Sequence, residues 1–514
     1  MRWCWGLDSE NKPVLRYSEE PDFFSENIRL FGVPQNRLDL VMRRYSFLIL
    51  FALVLITPFV RRLFLGAATS SPAKPGSLRL NIITAHAESI RREFADAFRA
   101  WHLKNYGSDV DIDYTALGSG DIPKVFQDKA ETIFPKLGTY QIDLAWGGGD
   151  YLFDVQLKAY LQGVQLDPAL MAAAFPNPEL NGLPLYDLKS KPPKWFGSAL
   201  ASFGITYNRD VLRYLKLPEP KTWTDLSDPR YAGWIVAADP TRSTSAKQAF
   251  LAIVEKAMAD ASAHGESEDI GWARGMGQIR LIAANVRNFT DGSSTVPGII
   301  ATGDAAAGMT IDYYGRSEVE AIGHNRLGYV QPFGATVTNP DPIAMIAGAE
   351  HAVVAKRFIE FVLSPQGQLL WNKRVGTQYG PKSTNLRRLP IMPSVYADMS
   401  DFTDKDDPFK SAGGFNKSDA REKTFGIIGE LLETSCMDCL EELRDTRAAI
   451  LASPRAKELD QKLGLFPFDQ KEAIRRGGLF KIATPVEKLA LKRAWVEEFR
   501  SEYDRLRVEA GLGK

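Results

Sequence analysis

The chain has 514 residues, with 63 basic and 63 acidic residues, 45% hydrophobic residues and 25% charged ones. That balance excludes a polyelectrolyte partner, because a nucleic-acid footprint needs a basic excess, so no nucleic acid is expected among the partners. Only five His and three Cys occur, which argues against a dedicated zinc site or a disulfide scaffold, and the length predicts roughly two or three domains.

Residues 1–41 are polar and mixed in charge, and fit no export logic. They read either as a cytosolic tail or as an upstream extension of the reading frame that is not translated. Met42-Arg43-Arg44 then precedes an apolar run from Tyr45 to Val60, followed by Arg61-Arg62 and small residues up to Ala68. A basic start, a short apolar stretch and small residues predict an export signal over 42–68. The alternative is an uncleaved anchor; sixteen residues at ~1.5 Å rise reach about 24 Å, short of a hydrocarbon core of roughly 30 Å. Residues 69–77 are a linker by composition.

The folded part is expected from Leu78. Leu78–Ala85 predicts a strand and Ser89–Asn105 a helix, with Ile90, Phe94, Phe98 and Trp101 on one face and Gly107 closing it. Val110, Ile112 and Tyr114 alternate with aspartates as a second strand, and Ile142–Trp146 is a third. Strand, helix, strand at this spacing implies a parallel sheet. A second α/β region follows. It has strands at 201–208, 234–238 and 303–312, a helix over 245–260, and further helices at 352–363 and 365–374. The last ~130 residues change character. Ser418–Ala452 and Thr484–Ala510 predict long amphipathic helices. Thr484-Pro485-Val486-Glu487 is a capping box, and Trp495, Phe499, Tyr503 and Leu506 form a stripe expected to pack on a lobe. Cys436 and Cys439, three apart in an acidic helix, are expected as reduced thiols, because helical geometry rarely suits a disulfide.

Eight segments, in order, carry a family resemblance: ITAHAE (83–88), GSGDIPKVF (118–126), DLAWGGG (143–149), FGITYNRDVL (203–212), PKTWTDLSDPRYAG (220–233), ADPTRSTSA (238–246), GDAAAGMTIDYY (303–314) and the stretch 358–380. Over residues 78–395 the chain resembles the iron(III)-type solute-binding proteins of ABC importers. The resemblance implies an α/β, two-lobe periplasmic-binding-protein-like fold of class II, here with an N-terminal signal or anchor and a C-terminal helical extension. The expected lobes are 78–190 (lobe 1), 191–334 (lobe 2) and 335–385 (return to lobe 1), followed by a helical region over 386–514.

The implied function is capture of a small ligand in the cleft and delivery to membrane permease subunits, by a monomer in the periplasm or on the outer face of the inner membrane. No GxSxG elbow or HExxH signature occurs, so no enzyme is expected. The alternative is a membrane-tethered sensor or assembly protein built on the same lobes. No cofactor is expected, unless Fe(III) is the transported ligand.

Site residues follow from the resemblance and from loop chemistry. Tyr313 and Tyr314 match adjacent iron-coordinating tyrosines, and phenolic oxygens suit a hard cation. On a strand they would point to opposite faces, so both reach one ion only if the chain bends at Gly315. His86 aligns with a first-lobe histidine ligand. These three are the metal ligands if the cargo is ferric iron; aromatic packing and a backbone-bonded histidine are the alternatives. Gly148 stands where such iron binders carry a carboxylate, and is read as opening the loop for a larger solute, with Asp150 as a substitute donor. Ser243, Thr244 and Ser245 before a helix, Ser119 and Gly120 before another, and Ser293 in a hydroxyl-rich turn suit an anion, although ordinary capping explains any one of them. Asp312 is expected to orient a phenol or to accept from a cationic solute. The ligand is therefore ferric iron or a small phosphorylated or carboxylated anion.

Overall fold

The structure, a computed structural model, describes residues 3–7, 13–17, 77–410 and 419–512. Two compact units result, Met1–Pro72 and Ala73–Lys514. In the first, Trp3–Leu7 pairs antiparallel with Pro13–Tyr17. The signal or anchor expected over 42–68 and nearly all of the linker lie outside the described residues. Among the described residues no helix is long and apolar enough to cross a membrane.

The second unit opens with β1 (Leu78–Thr84), α1 (Glu88–Tyr106) and β2 (Val110–Ala116). The periodicity of α1 is met: Ile90, Phe94 and Phe98 are buried, and Gly107 closes the helix in the left-handed region at φ 72°. α2 (Ile122–Thr132), β3 (Leu144–Trp146), β4 (Leu161–Gln162) and β5 (Phe196–Ala201) follow. The first sheet has the order β2-β1-β3-β11-β4, where β11 (Asn339–Ile346) returns from far along the chain and also pairs with β5. Strands β1, β2 and β3 are parallel. Phe94, Trp146 and Trp371 pack as an aromatic cluster beneath the sheet, with ring centroids 4.3–5.8 Å apart.

The second sheet is built from β6 (Phe203–Asn208), β7 (Ile235–Ala238), β8 (Val286–Thr290), β9 (Ala307–Ile311) and β10 (Leu327–Val330). Its order is β8-β7-β9-β6-β10, with β7 parallel to β8 and β9. Helices α3 (Arg209–Leu215), α4 (Thr244–Ala263), α5 (Glu268–Ala283), α6 (Val296–Thr302) and α7 (Asp312–Ile322) accompany it. The protein is thus a two-lobe α/β molecule.

Up to β11 the chain crosses between lobes twice, from β5 to β6 at Ser202 and from β10 to β11 through residues 331–338. The strand expected over 201–208 is β6 (Phe203–Asn208), all of it in the second sheet; Ala201 ends β5, which pairs in the first sheet, and Ser202 stands between the two. The crossings are tied together. Ser202 Oγ donates to Gln331 Oε1 at 3.1 Å, Phe203 N donates to Thr336 Oγ1 at 3.1 Å, and Thr336 Oγ1 donates to Phe203 O at 2.9 Å.

After α8 (Ala352–Leu363) and α9 (Pro365–Leu370), residues 386–404 stay with the first lobe, where Leu389 bridges Leu200. A helical layer then covers the second lobe: α10 (Asp419–Leu432), α11 (Leu440–Ala452), α12 (Ala456–Leu463), α13 (Gln470–Ile482) and α14 (Pro485–Arg507). The long helix expected over 418–452 is broken by a π-turn at Glu433–Met437, between α10 and α11. The stripe Trp495, Phe499, Tyr503 and Leu506 is buried, and Arg280 of α5 anchors the layer from the lobe side.

Candidate functional site

A cavity of about 140 Å3 lies between the lobes. Its walls come from carboxyl ends of parallel strands, where loops open into helices. β1 leads to His86, β2 to Ser119, β3 to Gly148, β7 to Ser243–Ser245, β8 to Ser293 and β9 to Tyr313 and Tyr314; all of these line the cavity.

Three expected site residues do not line it. Asp312 is turned to the hinge, where its Oδ2 accepts from Ser202 N at 3.0 Å and Ser202 Oγ at 2.9 Å. Burial pushes its carboxyl up despite Arg316 and Arg388 nearby. Gly120 abuts the second lobe, and a Cβ there would meet Arg242 O at 2.8 Å. Asp150 accepts from Gln248 of the second lobe at 3.1 Å and serves as a contact between lobes.

The tyrosine pair needs no bent strand. β9 ends at Ile311, and Tyr313 and Tyr314 sit in the first turn of α7, rings 4.2 Å apart. Successive helical residues diverge by about 100° rather than 180°, which lets both rings reach one cavity. Burial raises both phenol pKa values, more so for Tyr313, against the pull of Arg388, whose guanidinium lies 4.5 Å from the Tyr313 ring centroid. Both phenols are therefore protonated at neutral pH.

Gly148 also reads differently in the structure. Its φ is 114°, and a Cβ there would meet Leu152 at 2.6 Å and Ser119 at 3.1 Å. The glycine permits a tight turn and close packing rather than opening room for solute. A carboxylate still reaches this corner, from a place sequence reasoning missed. Asp341 Oδ1 accepts from the amides of Gly148 and Gly149 at 2.7 and 3.2 Å. Its Oδ2 lies 3.0 Å from His86 Nε2 and 2.6 Å from Arg388 Nη1. Burial works against the Asp341 charge, but Arg388 and His86 outweigh it and hold the carboxyl far below its usual range. For His86, burial dominates and lowers the pKa, so the ring is neutral at neutral pH.

The second-lobe wall is a helix N-terminus dressed with hydroxyls. Ser243 Oγ accepts from Ala246 N at 3.2 Å and lies 2.6 Å from Ser293 Oγ. Ser119 of the first lobe accepts from Thr244 N at 3.3 Å and donates to Thr244 Oγ1 at 3.1 Å. Arg242 pairs with Asp291 at the rim. Ala201, Phe203 and Ile311 supply apolar wall. Three buried polar atoms of cavity-lining residues have no protein partner: His86 Nδ1, Asn339 Oδ1 and Arg388 Nε. Among the described residues no cluster of three His, Cys, Asp or Glu side chains is arranged to hold a metal ion.

Sequence reasoning missed Asp341, Arg388, Asn339 and Gln248. Asp341 had a signal, an acid between two prolines at the head of an apolar strand. Arg388 had none, since it and its neighbour Arg387 are indistinguishable by type.

Residues 150–385 match the family model of bacterial extracellular solute-binding proteins. The chain is 26% identical over 170 residues to a phosphoglycerate transport regulatory protein of Salmonella typhimurium, covering 33% of this chain and 38% of that one. An uncharacterized protein of Haemophilus influenzae is 28% identical over 178 residues, covering 34% of this chain and 46% of its own length. The chain thus spans less than half the length of these curated relatives. Among solved structures, a periplasmic binding protein of Actinobacillus pleuropneumoniae with fructose-6-phosphate bound has TM-score 0.48 at 19% identity, covering 65% of this chain and 93% of that one. The substrate-binding protein of an Agrobacterium tumefaciens ABC transporter has TM-score 0.49 at 16% identity, covering 68% and 88%. The chain is similar to bacterial extracellular solute-binding proteins, the match being carried by residues 150–385.

Proposed function

We propose that this chain binds a small organic anion between its lobes, outside the cytoplasm, and passes it to the permease subunits of an ABC importer. The carrying observation is the set of unpartnered buried polar atoms, His86 Nδ1, Asn339 Oδ1 and Arg388 Nε, around a cavity that also holds the α4 N-terminus. A guanidinium, protonated phenols and a helix N-terminus favour negative charge. The acceptor Asn339 Oδ1 suits a hydroxyl on the same molecule. A phosphorylated or carboxylated hydroxy compound meets both demands, and the name of the Salmonella relative, which concerns phosphoglycerate transport, agrees with that class.

In this reading Ser243, Thr244, Ser245, Ser293 and Ser119 hold anion oxygens, and the phenols of Tyr313 and Tyr314 face the same solute. The two crossings let the lobes part for entry and close around the solute. No chemical step is proposed; the chain binds and releases, as a monomer.

Ferric iron is the second reading, favoured by the tyrosine pair in one helical turn. It must contend with the Arg388 guanidinium beside Tyr313 and with His86 Nε2 already engaged by Asp341. Thermal-shift and calorimetric titrations with phosphoglycerate, inorganic phosphate and ferric citrate separate the two. Phosphoglycerate at a hundredfold excess over Kd is expected to stabilise by about 2.7 kcal/mol, and Ser243→Ala should weaken it. A visible phenolate-to-iron band with ferric citrate, lost in Tyr313→Phe plus Tyr314→Phe, with no response to phosphates, would replace the anion by iron.

A further inference from the structure

The C-terminal layer touches the first lobe as well as the second. Phe425 of α10 is 2% exposed, and its ring centroid is 4.2 Å from that of Tyr151. Tyr151 belongs to the first lobe, because the next residue, Leu152, is part of the core beneath β1 and α2. Phe425 also faces Lys247, whose Nζ is 5.4 Å from the ring centroid. α10 is seated on the second lobe: a Cβ at Gly429 would meet Lys247 Cε at 2.9 Å and Pro240 O at 3.1 Å. From behind, Lys492 of α14 pairs with Glu430 and Glu433, each at 2.5 Å. The helix is thus fixed to one lobe while one of its side chains grips the other.

We infer that α10 is a strap that biases the lobes toward the closed arrangement through the Tyr151–Phe425 contact. Two further contacts beside the cavity, Ser119 with Thr244 and Gln248 with Asp150, are polar, while Arg388 of the first lobe lies over the Tyr313 ring of the second. Water replaces such bonds when the lobes part, so their net worth is small. An aromatic pair loses buried area on opening, with no such replacement. A contact made in the closed state alone shifts the balance by its own free energy. The strap slows both entry and release of solute. Phe425 lies outside the family-matched segment 150–385, so this control is carried by the added helices. It depends on the two-lobe architecture and not on which solute is bound.

The test is a distance measurement between the lobes of the full chain without added solute. Spin labels at Gln127→Cys and Ser262→Cys, in a Cys4→Ser background, report the separation by double electron–electron resonance. Tyr151→Ala and Phe425→Ala should each lower the closed-to-open ratio by about two- to tenfold, and together no further than either alone. Tyr151→Phe, which keeps the ring, should leave the distribution unchanged. If Phe425→Ala fails to fold, the Tyr151 pair of variants carries the test, since that side chain lies at the edge of the first lobe. Unchanged distances in Tyr151→Ala, or effects of the two alanine variants that simply add, would overturn the strap.

Discussion

Arg388 and Asp341 form a buried ion pair, Nη1 to Oδ2 at 2.6 Å, with the arginine side chain 1% exposed. The pair joins a residue inside the family-matched region to one just beyond it, and fixes the glycine turn through the other carboxylate oxygen, which accepts from Gly148 N and Gly149 N. Neither charge is at rest without the other: the carboxylate would be left in a dry site with only His86 beside it.

Arg388→Met should therefore destabilise by about 3–5 kcal/mol, the usual cost of orphaning a buried charge. Adding Asp341→Asn should recover part of that loss, because the stranded charge is gone and the amide oxygen still accepts from Gly148. Denaturant unfolding of the two single variants and the double variant measures the coupling. Strict additivity would show that the pair is not a unit.

His86 gives stability a pH dependence with a defined sign. Burial holds its folded pKa below the ordinary 6.5. Below pH 6.5 the unfolded chain then binds a proton that the folded chain refuses, so stability falls as pH drops through that window and levels off below the folded pKa. The Asp341 carboxylate acts in the same direction at lower pH, since its contribution is present above about pH 3.9 and fades as pH falls. His86→Gln should flatten the profile just below pH 6.5 and leave the acid limb, as read by thermal midpoints across pH.

The lobes and much of the cavity wall were legible in the sequence because they rest on local signals. Strand-to-loop transitions rich in Gly and Ser mark carboxyl ends of strands, and nine of the twelve expected site residues line the cavity. What failed depends on long-range pairing. Asp312 looked like a site residue beside the tyrosines, but its carboxylate faces Ser202, 110 positions away. Gly148 looked like a missing ligand, yet Asp341, 193 positions on, brings a carboxylate to the same corner. Ser202 looks like Ser198 earlier in the same stretch, and only the pairing of β5 and β6 in different sheets marks it as the boundary.

Two buried cations tie the C-terminal layer to the second lobe, Arg447 from the layer side, which donates to Leu281 O at 2.8 Å and to Ser227 O at 2.6 Å, and Arg280 from the lobe side. Arg280, fully buried, reaches Glu502 at 2.9 Å and donates to Leu463 O and to Leu465 O at 3.0 Å. Arg280→Met should cost about 3–5 kcal/mol, since two carbonyls and a carboxylate lose their donor together. Glu502→Gln keeps the carbonyl bonds and should cost about 1–3 kcal/mol. Limited proteolysis should release the layer first in Arg280→Met; equal stability of the two variants would place the anchor elsewhere.

Cys436 and Cys439 are both free and buried, in the π-turn and just after it. Burial pushes the Cys436 thiol up to about 11 and the Cys439 thiol up to about 12. Thiolate is the nucleophile, so at pH 8 neither site has a reactive fraction, and access is closed as well. Iodoacetamide applied to native protein, followed by peptide mass spectrometry, should leave both unmodified, and guanidinium should expose both in one step with global unfolding. Modification of Cys439 in the native state, ahead of Cys436, would show that the α10–α11 break opens locally while the rest of the layer stays folded.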